Sequence, residues 1–129
     1  MATGRILIVD DDTDLIEAMA IVLRGRGYDV SSATNADDAV KRLAEQKADL
    51  IILDVMMKVP QEGFALSRKL KKDPAYKQIP ILMLTAVKEK TGIDFADAAG
   101  DEEWLPVEAF LDKPVKSEVL LAKVQSLLS

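Results

Sequence analysis

The 129-residue chain contains no cysteine and no histidine. The first absence excludes disulfides and thiolate metal sites; the second excludes imidazole ligands and histidine-dependent catalytic triads. Any bound metal must therefore be a hard cation held by oxygen. Long apolar runs are also missing. The longest are four to six residues, far short of the ~20 that cross a bilayer. The opening Met1-Ala2-Thr3-Gly4-Arg5 lacks the apolar stretch of a signal peptide. A cytoplasmic location without membrane contact is expected. Positive charge is not in excess: the net charge of -5 argues against nonspecific DNA binding, so no direct nucleic-acid contact is expected. The dense basic cluster Arg68, Lys69, Lys71 and Lys72 lies opposite Leu66 and Leu70 and reads as the solvated face of a helix. No internal repeat, low-complexity stretch, linker or appended output domain is visible. The expectation is a single stand-alone domain over residues 1–129.

What is present suits one compact core: 49% of residues are apolar and 30% charged. Short apolar runs alternate with helical patterns, as in a βα-repeating, largely parallel sheet. Strands are expected over 6–9, 28–33, 50–53, 79–84 and 108–111. The unbroken hydrophobicity of Leu50-Ile51-Ile52-Leu53 marks a strand buried on both faces. Asp12 or Thr13 can cap a first helix in which Leu15, Ile16, Met19, Ala20, Val22 and Leu23 recur at helical spacing, ending at Gly25 or Gly27. Asn35 can cap a second, with Ala39, Val40 and Leu43 inward. A third spans 64–72 and stops at Asp73-Pro74. The last spans 117–128, with Val119, Leu120, Val124, Leu127 and Leu128 inward. Within 87–106 a helix is expected somewhere in 91–99, followed by a loop that Trp104, the chain's one tryptophan, caps onto the fold.

Four of the strand-like runs end on chemistry: Asp10-Asp11-Asp12, Asp54, Thr85-Ala86 and Asp112-Lys113-Pro114. In a parallel sheet the carboxyl ends of the strands share one edge, so these residues converge. Asp10, Asp11 and Asp54 would repel one another there unless a cation neutralised them. Mg2+ suits the role, because it takes one or two carboxylates and accepts phosphate oxygens as further ligands. An aspartate can attack a phosphoryl group to give an acyl phosphate, whose new charge needs fixed donors and cations. Lys113 supplies a charge and Thr85 a hydroxyl. Ala86 leaves room for the phosphoryl group and offers its backbone amide.

Val9-Asp10-Asp11, Asp54, Thr85-Ala86 and Lys113-Pro114, in this order at strand ends, resemble the receiver domain of two-component response regulators. The resemblance covers essentially the whole chain. It implies a flavodoxin-like, doubly wound α/β fold: a five-stranded parallel sheet in the order 2-1-3-4-5, with two helices on one face and three on the other. It also implies that Asp54 is the phosphoacceptor, that Asp11 binds Mg2+ directly and Asp10 through water, and that the Met56 carbonyl completes the protein's share of the metal shell. Thr85 would hydrogen-bond the phosphoryl group, Lys113 would pair with it, and Lys113-Pro114 would be a cis peptide. Phe110 matches an aromatic switch position. The implied partners are a sensor histidine kinase or phosphotransfer protein and an unidentified downstream protein. They would meet a face built from the helix within 91–99, the fifth strand and the last helix. Dimerisation on phosphorylation is left open.

Two departures stand out. The family usually carries proline soon after the phosphoacceptor and glycine eight residues beyond it. Here Lys58 follows Met57, Pro60 comes later and Gly63 lies nine beyond Asp54, which reads as a one-residue insertion beside the metal site. The stretch from Thr85 to Lys113 is also longer than is common. Two other functions compete with the switch. A phosphohydrolase of the haloacid dehalogenase type wants a second aspartate two residues after the nucleophile, where this chain has Met56. A phosphorylation-independent interaction module is encouraged only by the altered loop after Asp54. The expectation is a signalling domain rather than an enzyme. Its phosphorylated state should be long-lived, because Met56 and Val87 cannot orient an attacking water.

Overall fold

The computed structural model describes residues 4–54, 62–85, 109–112 and 116–128. In chain order the described elements are β1 (Arg5–Val9), α1 (Thr13–Arg24), β2 (Asp29–Ala33), α2 (Ala36–Glu45), β3 (Leu50–Asp54), α3 (Glu62–Lys72), β4 (Ile81–Thr85), β5 (Ala109–Asp112) and α4 (Ser117–Leu128). The strands form one parallel sheet in the order β2-β1-β3-β4-β5. The helix expected within 91–99, and Trp104 with it, lie outside the described residues.

Strand periodicity assigns the two faces of this sheet. Leu7, Val9, Ile51, Leu53, Ile81 and Met83 join Ala39 and Leu43 of α2 and Leu66 and Leu70 of α3 in one apolar cluster. Their alternate neighbours Ile6, Ile8, Leu50, Ile52, Leu82 and Leu84 join Ile16, Met19, Ala20 and Leu23 of α1 and Leu120 and Val124 of α4 in the other. Side chains along a strand alternate in direction, so a strand covered by helices on both sides must be apolar throughout. β3 fits this fully, with every residue from Leu50 to Asp54 buried. At roughly 1.5–3 kcal/mol for each fully buried large aliphatic side chain, the central strands are the main source of cohesion.

Local chemistry sets the boundaries. Asp12 is extended and caps α1: its carboxylate accepts from the Leu15 amide at 3.1 Å. Asn35 caps α2 by accepting from the Asp38 amide at 2.8 Å. Gly25 closes α1, and Gly27, at φ +90°, takes the left-handed backbone that turns the chain into β2. Tyr28 belongs to that turn, its amide donating to the Leu23 carbonyl, so β2 starts at Asp29. β4 begins at Ile81 rather than at residue 79. Pro80 has no amide to give to a ladder, although its carbonyl accepts from the Ile51 amide at 3.0 Å.

Three expectations are corrected by packing. α3 starts at Glu62, two residues before Phe64. Val119 is 43% exposed and does not face inward; Leu121 packs against the core beside α4's Leu120 and Val124. The basic end of α3 is not uniformly solvated either. Half-buried Lys71 donates from Nζ to the Ile79 carbonyl at 2.8 Å and to the Lys77 carbonyl at 3.3 Å, tying α3 to the turn ahead of β4. At the amino edge of the sheet, a Cβ placed on Gly4 would meet Cδ1 of Leu128 at 3.3 Å, so the start of β1 abuts the end of α4.

Candidate functional site

The chain leaves β1 for β2 on one side and returns for β3 on the other, so the order reverses between β1 and β3. Ligand sites of open α/β sheets lie at such a reversal, beyond the carboxyl ends of the strands. Register brings the acidic residues there. Val9 pairs with Leu53, which sets Asp10, the next residue, opposite Asp54. Asp54 pairs with Leu84, and Thr85 with Asp112. Polar strand ends far apart in sequence thus become one continuous polar edge.

Asp10 is wholly buried, Asp54 is 2% exposed and Asp11 is half-buried. One carboxylate oxygen from each lies within 4.8 Å of the others. Two features hold Asp10 in this place. Its amide donates to the Ala33 carbonyl at 3.1 Å, extending the β1–β2 ladder by one bond, and its Oδ1 accepts from the Asp12 amide at 2.9 Å. Asp12 itself is exposed and stands outside the group, its carboxylate occupied in capping α1.

Like charges this close are unfavourable. At an effective dielectric of about 20, two unit charges about 5 Å apart repel by about 3 kcal/mol. Burial adds a desolvation cost to each ionised form. The donor set, three carboxylates with no nitrogen or sulfur, could hold a hard divalent cation. Among the described residues this is the one group of three acidic side chains that converges so closely.

The other expected residues divide into two sets. Thr85 ends β4 and Phe110 lies in β5 opposite Met83, which fixes their backbones on the sheet; their side chains lie outside what is described. Met56, Ala86, Lys113, Pro114, Lys58 and Pro60 lie outside the described residues altogether. One contributor escaped the sequence reading: the Asp12 amide that binds Asp10. Backbone donors carry no residue signature, and the only hint was a run of three aspartates at a helix start.

Residues 6–125 match the family model of the response regulator receiver domain, and the chain belongs to that family. It is a receiver domain of the kind found in two-component systems, whose response regulators work with histidine kinases and downstream effectors. Over 128 residues the chain is 36% identical to the response regulator PleD of Caulobacter vibrioides, covering 97% of this chain and 26% of that protein. Over 124 residues it is 33% identical to the DNA-binding response regulator MtrA of Mycobacterium tuberculosis, covering 96% and 50% respectively. The solved chemotaxis response regulator CheY4 of Vibrio cholerae superposes with a TM-score of 0.77 at 30% identity, covering 98% of both chains. The chain spans about a quarter to a half of the length of these curated relatives.

Proposed function

We propose that the chain is a phosphorylation switch that accepts a phosphoryl group on Asp54 from a histidine kinase or phosphotransfer protein. The observation that carries this reading is the position of Asp54: 2% exposed at the end of the central strand, with Asp10 and Asp11 oxygens within 4.8 Å. A carboxylate oxygen of Asp54 attacks the phosphorus of a phosphohistidine. A P–O bond forms, the P–N bond breaks, and the departing imidazole nitrogen takes up a proton from solvent. Asp11 directly, Asp10 through water, Asp54 itself and the Met56 carbonyl would hold Mg2+. When bound, it supplies the positive charge that offsets the clustered carboxylates and the phosphoryl oxygens.

Thr85 and Lys113 take the roles of hydroxyl donor and cationic partner to the phosphoryl group, with the Ala86 amide as a further donor. Register supports this assignment, because Asp54 lies one position from Thr85 across β3–β4 and Thr85 pairs with the residue before Lys113. Movement of Thr85 and Lys113 onto the phosphoryl oxygens would shift the face that includes β5 and α4, with Phe110 as the side chain that turns. The output is protein binding, in a single domain over residues 1–129 acting in the cytoplasm. With a net charge of -5 the chain is not expected to contact nucleic acid itself. MtrA, a DNA-binding regulator, is matched over 50% of its length.

Turnover as a phosphohydrolase is disfavoured by Met56, which cannot act as acid or base two residues after the nucleophile. Incubation with acetyl phosphate and Mg2+, followed by intact mass, tests the proposal. One added phosphoryl group, lost in Asp54→Asn, is the expected result. Continuous phosphate release would indicate an enzyme instead, and no adduct would indicate an inert interaction module.

A further inference from the structure

We propose that Asp12 is a positioning residue for the acidic cluster: its amide holds the Asp10 carboxylate, and its side chain holds that amide by capping α1. This inference rests on the reading of Asp10, Asp11 and Asp54 as a cation-binding group. Three hydrogen bonds meet at Asp12. Its amide donates to Asp10 Oδ1 at 2.9 Å, its Oδ1 accepts from the Leu15 amide at 3.1 Å, and its carbonyl accepts from the Ile16 amide at 3.0 Å.

The first bond bears on the site, because it sets the orientation of a carboxylate that converges with Asp11 and Asp54. Burial and the Asp12 amide hold that orientation, so the oxygens stay convergent before any cation arrives. The other two bonds fix the amide by making it part of the first turn of α1, whose apolar side is anchored in the core by Ile16, Met19, Ala20 and Leu23. A chain of contacts thus runs from the helix core through the cap to the carboxylate. The Asp12 carboxylate lies outside the converging group and is exposed, so its contribution is geometric rather than a fourth charge at the metal. Loss of a partner that orients a metal ligand from behind typically weakens metal binding by about 10–100-fold.

The test compares the full chain with Asp12→Ala, which has no capping oxygen, and Asp12→Asn, which keeps a capping oxygen but no charge. Mg2+ affinity is measured by calorimetry and unfolding by thermal denaturation. Asp12→Ala is expected to weaken Mg2+ binding about three- to tenfold, at or below the lower end of what loss of an outer partner does. Asp12→Asn is expected to stay within about twofold of the parent, since Asn caps as well as Asp. Equal weakening in both variants would assign the effect to charge and overturn the proposal. An unchanged Mg2+ affinity in Asp12→Ala with a lowered melting temperature would reduce Asp12 to a cap alone and overturn it too. Should Asp12→Ala fail to fold, Asp12→Gly, which helix N-caps tolerate, replaces it with the same expected weakening. Failure of the parent chain to bind Mg2+ would instead defeat the reading of the cluster itself, so the two failures are distinguishable.

Discussion

At the amino edge of the sheet, Asp29 and Asp49 are exposed and both are served by Arg5: its Nε lies 3.8 Å from Asp29 Oδ2, and its amide donates to Asp49 Oδ2 at 2.9 Å. At the carboxyl edge, Asp10 and Asp54 are buried and converge with Asp11. The same side chain is therefore used in two ways. At the first edge carboxylates are solvated and matched by a local donor, and the fold alone accounts for them. At the second, burial and like charge are brought together, an arrangement that a bound divalent cation would favour. A convergent group of carboxylates at the carboxyl edge of the sheet suits a hard divalent cation.

The largest expected effect separates the two edges by chemistry. Asp54→Asn abolishes phosphoryl incorporation from acetyl phosphate, whereas Asp29→Asn leaves it intact; intact mass reads both. Next comes the core that joins the edges. Ile52→Ala empties a fully buried position of β3 and is expected to lower stability by about 2–5 kcal/mol in urea unfolding. The sharpest contrast follows. In chelator, Asp54→Asn or Asp10→Asn should raise the unfolding free energy by about 1–3 kcal/mol, because one charge leaves the repelling group. Mg2+ should then stabilise the parent more than either variant. A destabilised Asp54→Asn in chelator would remove the contrast. The smallest effect belongs to the amino edge. Asp29→Asn breaks an ion pair whose side chains are 54% and 61% exposed, and should change stability by less than about 0.5 kcal/mol. Finally, Met56→Asn should shorten the lifetime of the phosphorylated protein, followed by loss of the phosphoryl mass over time, because an amide can orient water where a thioether cannot.

Much of this was legible in the sequence because the relevant signals are side-chain patterns. The unbroken run Leu50-Ile51-Ile52-Leu53 announced a strand covered on both faces, and Asp12 and Asn35 announced helix starts. The misplacements share a cause. Apolar periodicity marks where side chains are buried, whereas a strand is defined by its backbone ladder, which ignores polarity. Arg5, Asp54, Thr85 and Asp112 are thus in strands although none is apolar. Ile79 is buried yet lies ahead of its strand, because Pro80 interrupts the donors. Val119 misled because it adjoins Leu120 in a helix where one step of 100° carries a side chain from core to solvent. The charge of Lys71 and its basic neighbours suggests solvation. Its long stem instead let the ammonium reach two carbonyls that no sequence pattern pairs with it. At the site, the three acidic residues were readable from strand ends, but the amide that steadies Asp10 was not.

The meeting of Gly4 with Leu128 has a consequence for the layout of the sheet. Gly4 and Asp10 flank β1, and at about 3.3 Å per residue the two lie about 20 Å apart. The place where Gly4 meets Leu128 is thus the pole of the sheet opposite the acidic edge. Such a layout keeps the contact between the first strand and the last helix clear of the acidic edge.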